Sequence, residues 1–172
     1  MKRILLFTGD GKGKTTAALG VVLRAAGHGQ KCMVIQFVKS DGETGEAAAG
    51  RVFPGVEIVQ MGRGFVPNPN HPQFKSHCQA ASDAMTFAEK ALSAGLHDII
   101  VLDEVCIAVH KKLIEEDRIL ELLKKETAVS CIILTGRHAS PGLIEAADTV
   151  TEMRCIKHAL QQGHTAQRGV EY

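Results

Sequence analysis

The chain has 172 residues, 45% hydrophobic and 23% charged, a size and balance that suit one soluble compact domain spanning residues 1–172. A formal net charge of +1 provides no global basic field for nucleic acid and no acidic tail, so any anion site must be local. No apolar run approaches the roughly 20 residues of a membrane span.

Short apolar runs alternate with helical patterns as far as about Arg154. The run Arg3–Thr8 precedes a helical stretch at Lys14–Ala26, and further runs follow at Lys31–Val38 and Val56–Met61. The segment Gly62–Phe74, "GRGFVPNPNHPQF", holds three of the five prolines and reads as a long loop. A loop of this kind, at the carboxyl side of a strand, is where α/β proteins place ligand contacts. A second helix is expected over roughly Ser76–Ala94, with Ala80, Ala84, Phe87, Ala88, Ala91 and Leu92 at the spacing of a buried face. After it come the run Asp98–Asp103, a helix at Glu115–Lys125, the run Val129–Thr135, a helix at Ser140–Ala147 and the run Thr149–Met153. Ser140 reads as an N-cap, with Pro141 in the first helical position. Runs that are apolar on both faces belong to parallel sheets covered on both sides. The fold class is therefore α/β: a doubly wound, mainly parallel sheet of about six strands.

"FTGDGKGKTT", residues 7–16, carries the chemistry. It follows an apolar run and opens a helix, the context that distinguishes a phosphate loop from an empty glycine-rich turn. Gly9, Gly11 and Gly13 let successive backbone N–H groups turn inward around phosphate oxygens. The helix beginning near Lys14 adds its positive end. Lys14 reaches the terminal phosphates, and the Thr15 hydroxyl is placed for Mg²⁺. One position departs from the usual pattern, since Thr8 stands where the first glycine belongs. The partner segment is "DIIVLDE", residues 98–104, which delivers Asp103 and Glu104 at a strand end. Alternation along a strand predicts that only one of these acids faces the metal.

Other signals are weaker. "LTGR" at 134–137 places Arg137 at the same sheet edge, where it either holds a phosphate or is a solvated surface residue. The eight histidines show no regular ligand spacing, and His71, His77 and Cys78 read as a solvated loop rather than a metal cluster. The five cysteines are odd in number and never form Cys-x-x-Cys, which points to reduced thiols in a cytoplasm. Cys32 and Cys131 lie within strands as small core residues.

Taken in order, "TGDGKGKTT" at 8–16, "AAGHGQKCMVIQFVK" at 25–39, "GRGF" at 62–65, "VLDE" at 101–104, "LTGR" at 134–137 and "ADTVTEMRCIKHALQQGHTAQRGVEY" at 147–172 resemble the P-loop-type ATP:corrinoid adenosyltransferases. The likeness covers nearly the whole chain. It implies a P-loop NTPase-like, RecA-like domain that transfers the 5′-deoxyadenosyl group of ATP to the Co(I) of a reduced corrinoid and releases triphosphate. It also implies ATP held in reversed polarity, so that the loop exposes C5′ of the ribose instead of activating water at the γ-phosphate. On this resemblance Gly9, Asp10, Gly11, Lys12, Gly13, Lys14, Thr15, Thr16 and Arg137 would bind MgATP, and Thr15 and Glu104 would hold Mg²⁺. Phe65 would pack against the corrin and help displace the lower ligand of cobalt, which makes Co(II) easier to reduce. An electron-donating reductase such as a flavoprotein is the implied partner; whether the chain pairs as a homodimer stays open.

Three features depart from the family pattern. Pro67 stands where relatives often have Trp, and the chain has no Trp at all. The first strand begins almost at once, whereas many relatives carry a preceding segment that helps cover the site. Asp10 replaces an Asn, which sets a carboxylate near the triphosphate unless Mg²⁺ or Lys12 offsets it. Two other readings are an ordinary P-loop ATPase or kinase and a non-catalytic regulator that binds ATP or a corrinoid.

Overall fold

The six apolar runs form six strands: β1 (Arg3–Thr8), β2 (Cys32–Gln36), β3 (Val56–Gln60), β4 (Ile99–Asp103), β5 (Cys131–Thr135) and β6 (Thr149–Glu152). All pair in parallel in one sheet of order β3-β2-β4-β5-β1-β6, in the computed structural model, which describes residues 2–40, 42 and 44–170. Among the described residues six α-helices connect them: α1 (Lys14–Gly27), α2 (Gly45–Gly50), α3 (Phe74–Ala94), α4 (Val105–His110), α5 (Glu116–Lys124) and α6 (Pro141–Ala146). Strand β5 lies between the strand that leads into the phosphate loop and the strand that ends in Asp103.

Alternation along the strands divides the core. Ile100 and Leu102 of β4, with Met33, Ile35, Ile132 and Leu134, pack under α3, α4, α5 and α6. Ile99 and Val101, with Cys32, Val34 and Ile133, pack under α1. Both faces are apolar because both are covered, which explains the near-continuous hydrophobic runs. Strand β6 is different: its four residues are all exposed, as suits a Thr-Val-Thr-Glu strand at the sheet edge.

The sequence missed α2 and α4, each six residues long and too short to show helical periodicity. In α3 the buried face is Ala81, Ala84, Met85, Ala88 and Leu92, while Ala80, Phe87 and Ala91 are only partly covered. His77 also lies buried on α3 instead of in a solvated loop. Ser140 caps α6 as expected, its hydroxyl accepting the Leu143 N–H at 3.3 Å. No described helix is long and apolar enough to cross a membrane.

The loop after β3 is pinned to the chain that leaves β2. The Gly62 N–H donates to the Lys39 carbonyl at 3.1 Å and the Gly64 N–H to the Val38 carbonyl at 2.7 Å. The approach at Gly62 leaves no room for a side chain, because an added Cβ would lie 2.1 Å from the Val38 carbonyl carbon. Gly62→Ala should therefore push the two segments apart and cost about 1–3 kcal/mol, as overpacking does. Urea unfolding of that variant checks this, and a wild-type midpoint would show that the contact relaxes freely.

Candidate active site

The site forms where β1 turns into α1. Gly13 adopts φ 118°, a left-handed conformation that favours glycine, and Lys14 begins the helix directly after it. Lys14 is buried, and its ammonium donates to the Gly11 carbonyl at 2.7 Å. Burial pulls the Lys14 pKa below its ordinary value, which Glu104 opposes and Arg137 reinforces. A desolvated ammonium of this kind is stabilised by an anion beside it.

Beneath the loop runs a row of polar side chains. The strands place Gln60 opposite Gln36 and Gln36 opposite Asp103, and all three lie on the α1 face that alternation assigns to them. Asp103 is completely buried. Its Oδ1 accepts the Thr15 and Thr135 hydroxyls, each at 2.7 Å, and its Oδ2 accepts the Gln36 amide at 2.9 Å. Gln60 continues the row, donating to Gln36 Oε1 at 2.8 Å and to the Thr44 hydroxyl at 3.2 Å. Thr44 in turn caps α2 by accepting the Ala47 N–H. One hydrogen-bonded chain thus links the start of α1 to the start of α2.

Glu104 reaches the same region by another route. It has left the strand, adopts φ 61° and precedes α4, with its N–H held by the Thr135 hydroxyl at 2.9 Å. Left-handed backbone is uncommon for a residue with a side chain and marks a position fixed by its surroundings. Alternation, expected to separate the two acids, stops at Asp103, so both end at the phosphate loop. Asp103 accepts the Thr15 hydroxyl and Glu104 faces the cavity. Burial raises the Glu104 pKa above the usual carboxylate range and neighbouring Asp103 adds to the rise, while Lys14, Arg137 and Lys39 oppose it.

The cavity, about 620 Å³, is lined by Gly11, Lys12, Gly13, Lys14, Thr15 and Thr16 of the loop and by Glu104 and Arg137. Those expected residues meet. Gly9, Asp10 and Phe65 do not line it. Phe65 is 93% exposed on the loop after β3, beside buried Val66. Sequence reasoning missed Lys39 and Glu46, which form an ion pair on the cavity wall. Burial alone would raise the Glu46 pKa, but the Lys39 ammonium holds it below its ordinary value. The sequence signal was present in Thr44 followed by "GEAAAG", a cap before a good helix former. The cysteines stay out: burial pushes the thiols of Cys32 and Cys131 up to about 11 and that of Cys106 to about 12.

Behind the loop, the chain after β6 closes in. The Gly11 N–H donates to the Met153 carbonyl at 2.7 Å, and the Met153 N–H to the Thr8 carbonyl at 2.8 Å. A Cβ on Gly9 would lie 2.5 Å from the Met153 carbonyl oxygen, and one on Gly11 2.8 Å from the Arg154 backbone. These glycines admit the returning chain as well as shaping the loop. Further along, the Val170 carbonyl accepts the Lys12 ammonium at 2.7 Å. Glu171 and Tyr172, the end of the C-terminal sequence block, lie outside the described residues.

A family model described as "ATP:corrinoid adenosyltransferase BtuR/CobO/CobP" matches residues 1–172. The chain belongs to that family. Similar proteins include the corrinoid adenosyltransferase of Pseudomonas aeruginosa, 42% identical over 170 residues, with 98% of this chain and 83% of that protein covered. That of Escherichia coli K12 is 36% identical over 169 residues, covering 98% and 85%. Corrinoid adenosyltransferase CobA of Salmonella typhimurium is 35% identical over 170 residues, again covering 98% and 85%.

The donors at the head of this adenosyltransferase-family cavity suit Mg²⁺. Thr15 spends its proton on Asp103, which leaves its oxygen lone pairs for a cation. The desolvated Glu104 carboxylate gains most from a cation beside it. No group of three or more His, Cys, Asp or Glu side chains forms a metal cage among the described residues. Mg²⁺ commonly has few protein ligands and takes the rest from phosphates and water.

Without ligands, the raised Glu104 pKa has a stability consequence. Its carboxyl holds a proton more tightly folded than unfolded, so its contribution is full below the unfolded value near 4.5 and declines as pH rises through the folded one. Glu104→Gln, which cannot ionise, should therefore exceed wild type in stability at neutral pH in metal-free, nucleotide-free solution. Denaturant titrations across a pH series should show that advantage vanishing below pH 4.5. A variant less stable than wild type at pH 7 would mean that the ionised carboxylate is well accommodated without a cation.

Proposed function

We propose that the chain transfers the 5′-deoxyadenosyl group of ATP to the cobalt of a reduced corrinoid. The observation that carries this is a phosphate-loop cavity with Lys12, Lys14, Lys39 and Arg137 on its wall, in a chain that matches the corrinoid adenosyltransferase family end to end. Lys14 and Arg137 hold and neutralise the phosphate chain, and the first turn of α1 adds its positive end. Thr15 and Glu104 would hold Mg²⁺, which would supply charge stabilisation for the leaving triphosphate. Cobalt(I) contributes the electron pair of the new cobalt–carbon bond, and the C5′–oxygen pair departs with triphosphate. This step needs no protein base, in keeping with a cavity wall whose acids are paired or desolvated. The protein contributes position and electrostatics.

Phe65 suits contact with a large flat substrate. It is an exposed aromatic at the sheet edge that carries the cavity, on a loop tied to the segment bearing Lys39. Packing against the corrin and displacing the lower cobalt ligand is the role we assign to it. Reduction to Co(I) falls to a separate electron donor of the flavoprotein class, as the family resemblance implies. The cytoplasm is the compartment consistent with free thiols.

An anaerobic reaction with chemically reduced cobalamin and MgATP tests this reading. Formation of a cobalt–carbon bond with release of triphosphate is expected. ADP and phosphate without adenosylation would instead identify an ATPase. In the same assay Phe65→Ala should retain most activity from prepared Co(I) and lose most of it from Co(II) with a reductase. Equal losses from the two starting states would remove the ligand-displacement role.

A further inference from the structure

Resting on the adenosyl-transfer reading, we infer that His158 is a further phosphate-binding residue, delivered to the triphosphate by the C-terminal tail. The tail is fastened to the phosphate loop at two places, through Met153 with Thr8 and Gly11, and through Val170 with Lys12. Between these anchors it includes a single 3-10 turn, Ala159–Gln162. Of the side chains described between 154 and 170, His158 alone is not exposed. It lines the cavity together with Lys12, Lys14 and Arg137, and Gly169 and Val170 line it as well.

Donor chemistry gives this placement a purpose. A phosphate loop works through backbone N–H groups, and here the Gly11 N–H is already committed to the Met153 carbonyl. The segment that occupies that donor also carries an imidazole to the cavity wall. An imidazolium carries two N–H donors, so His158 in that state can give one to phosphate oxygen beside the contact it already makes. Charge-assisted hydrogen bonds of this kind are among the strong ones. The tail then forms part of the triphosphate site.

The test is calorimetric titration of the full-length chain with inorganic triphosphate and Mg²⁺, on wild type, His158→Ala and His158→Gln, with the melting temperature of each ligand-free protein. We expect His158→Ala to bind triphosphate at least about tenfold more weakly. His158→Gln, which keeps an N–H donor, should recover most of the affinity, and the ligand-free melting temperatures should match. Undiminished binding by His158→Ala overturns the inference. So does equal loss in both variants accompanied by lower melting temperatures, which would make His158 a packing residue of the tail. A wild-type chain that binds ADP but not triphosphate would sink the adenosyl-transfer reading, and this inference with it.

Discussion

A carboxylate with no solvent must have every charge-bearing oxygen satisfied from within the protein, and Asp103 sets that requirement at the centre of this fold. Its three donors come from three elements: Thr15 from α1, Gln36 from β2 and Thr135 from β5. Strand β5 separates β4 from β1, so no backbone ladder joins the acid strand to the phosphate-loop strand. The Thr15–Asp103 bond makes that link through side chains. It fixes the rotation of the first turn of α1, and with it the direction of Lys14. Thr135 serves two neighbours, donating to Asp103 and accepting the N–H of Glu104. The unusual backbone of Glu104 is held by the same hydroxyl that satisfies Asp103.

The substitution at the head of the phosphate loop becomes intelligible in this setting. Thr8 is buried, its hydroxyl accepts the Ala139 N–H at 3.3 Å and its carbonyl accepts Met153. The tie to the chain after β5 uses the hydroxyl, which a glycine lacks, whereas the tie to the chain after β6 uses the backbone. The loop's glycines divide their functions accordingly. Gly9 and Gly11 make room for the returning tail, and Gly13 permits the turn into α1. The chain returning from β6 forms a layer behind the loop, and that layer reaches the cavity wall at His158, Gly169 and Val170.

Much of this was legible in the sequence because the apolar runs are long, regular and punctuated by turns. All six strands and the helices α1, α3 and α5 follow from that pattern, α6 is marked by its Ser140-Pro141 start, and the residues of "GKGKTT" meet on the cavity wall. Two kinds of feature escaped. Six-residue helices such as α2 leave no periodic trace, so Lys39 and Glu46 were not recognised as cavity residues. Long-range polar pairing was also missed, although its signature was visible: β2, β3, β4 and β5 end in Gln36, Gln60, Asp103 and Thr135. Four strands ending in a polar residue at one register signal a hydrogen-bonded row, but only the strand order reveals which residues are neighbours. The tail was the hardest to read, since its exposed and irregular sequence gives no hint that it folds onto the loop.

The buried Asp103 tether sets the geometry of the nucleotide site, and that is the central claim. Thr135 isolates that claim, because it bonds Asp103 and Glu104 without lining the cavity. The decisive measurement is the affinity of Thr135→Val for MgATP, set beside its affinity for ATP without the metal. With one donor to Asp103 and the acceptor for Glu104 removed, MgATP binding should weaken about tenfold, and metal-free binding should change much less. Wild-type affinity for MgATP in this variant would contradict the account and show that the phosphate loop holds its shape without the tether.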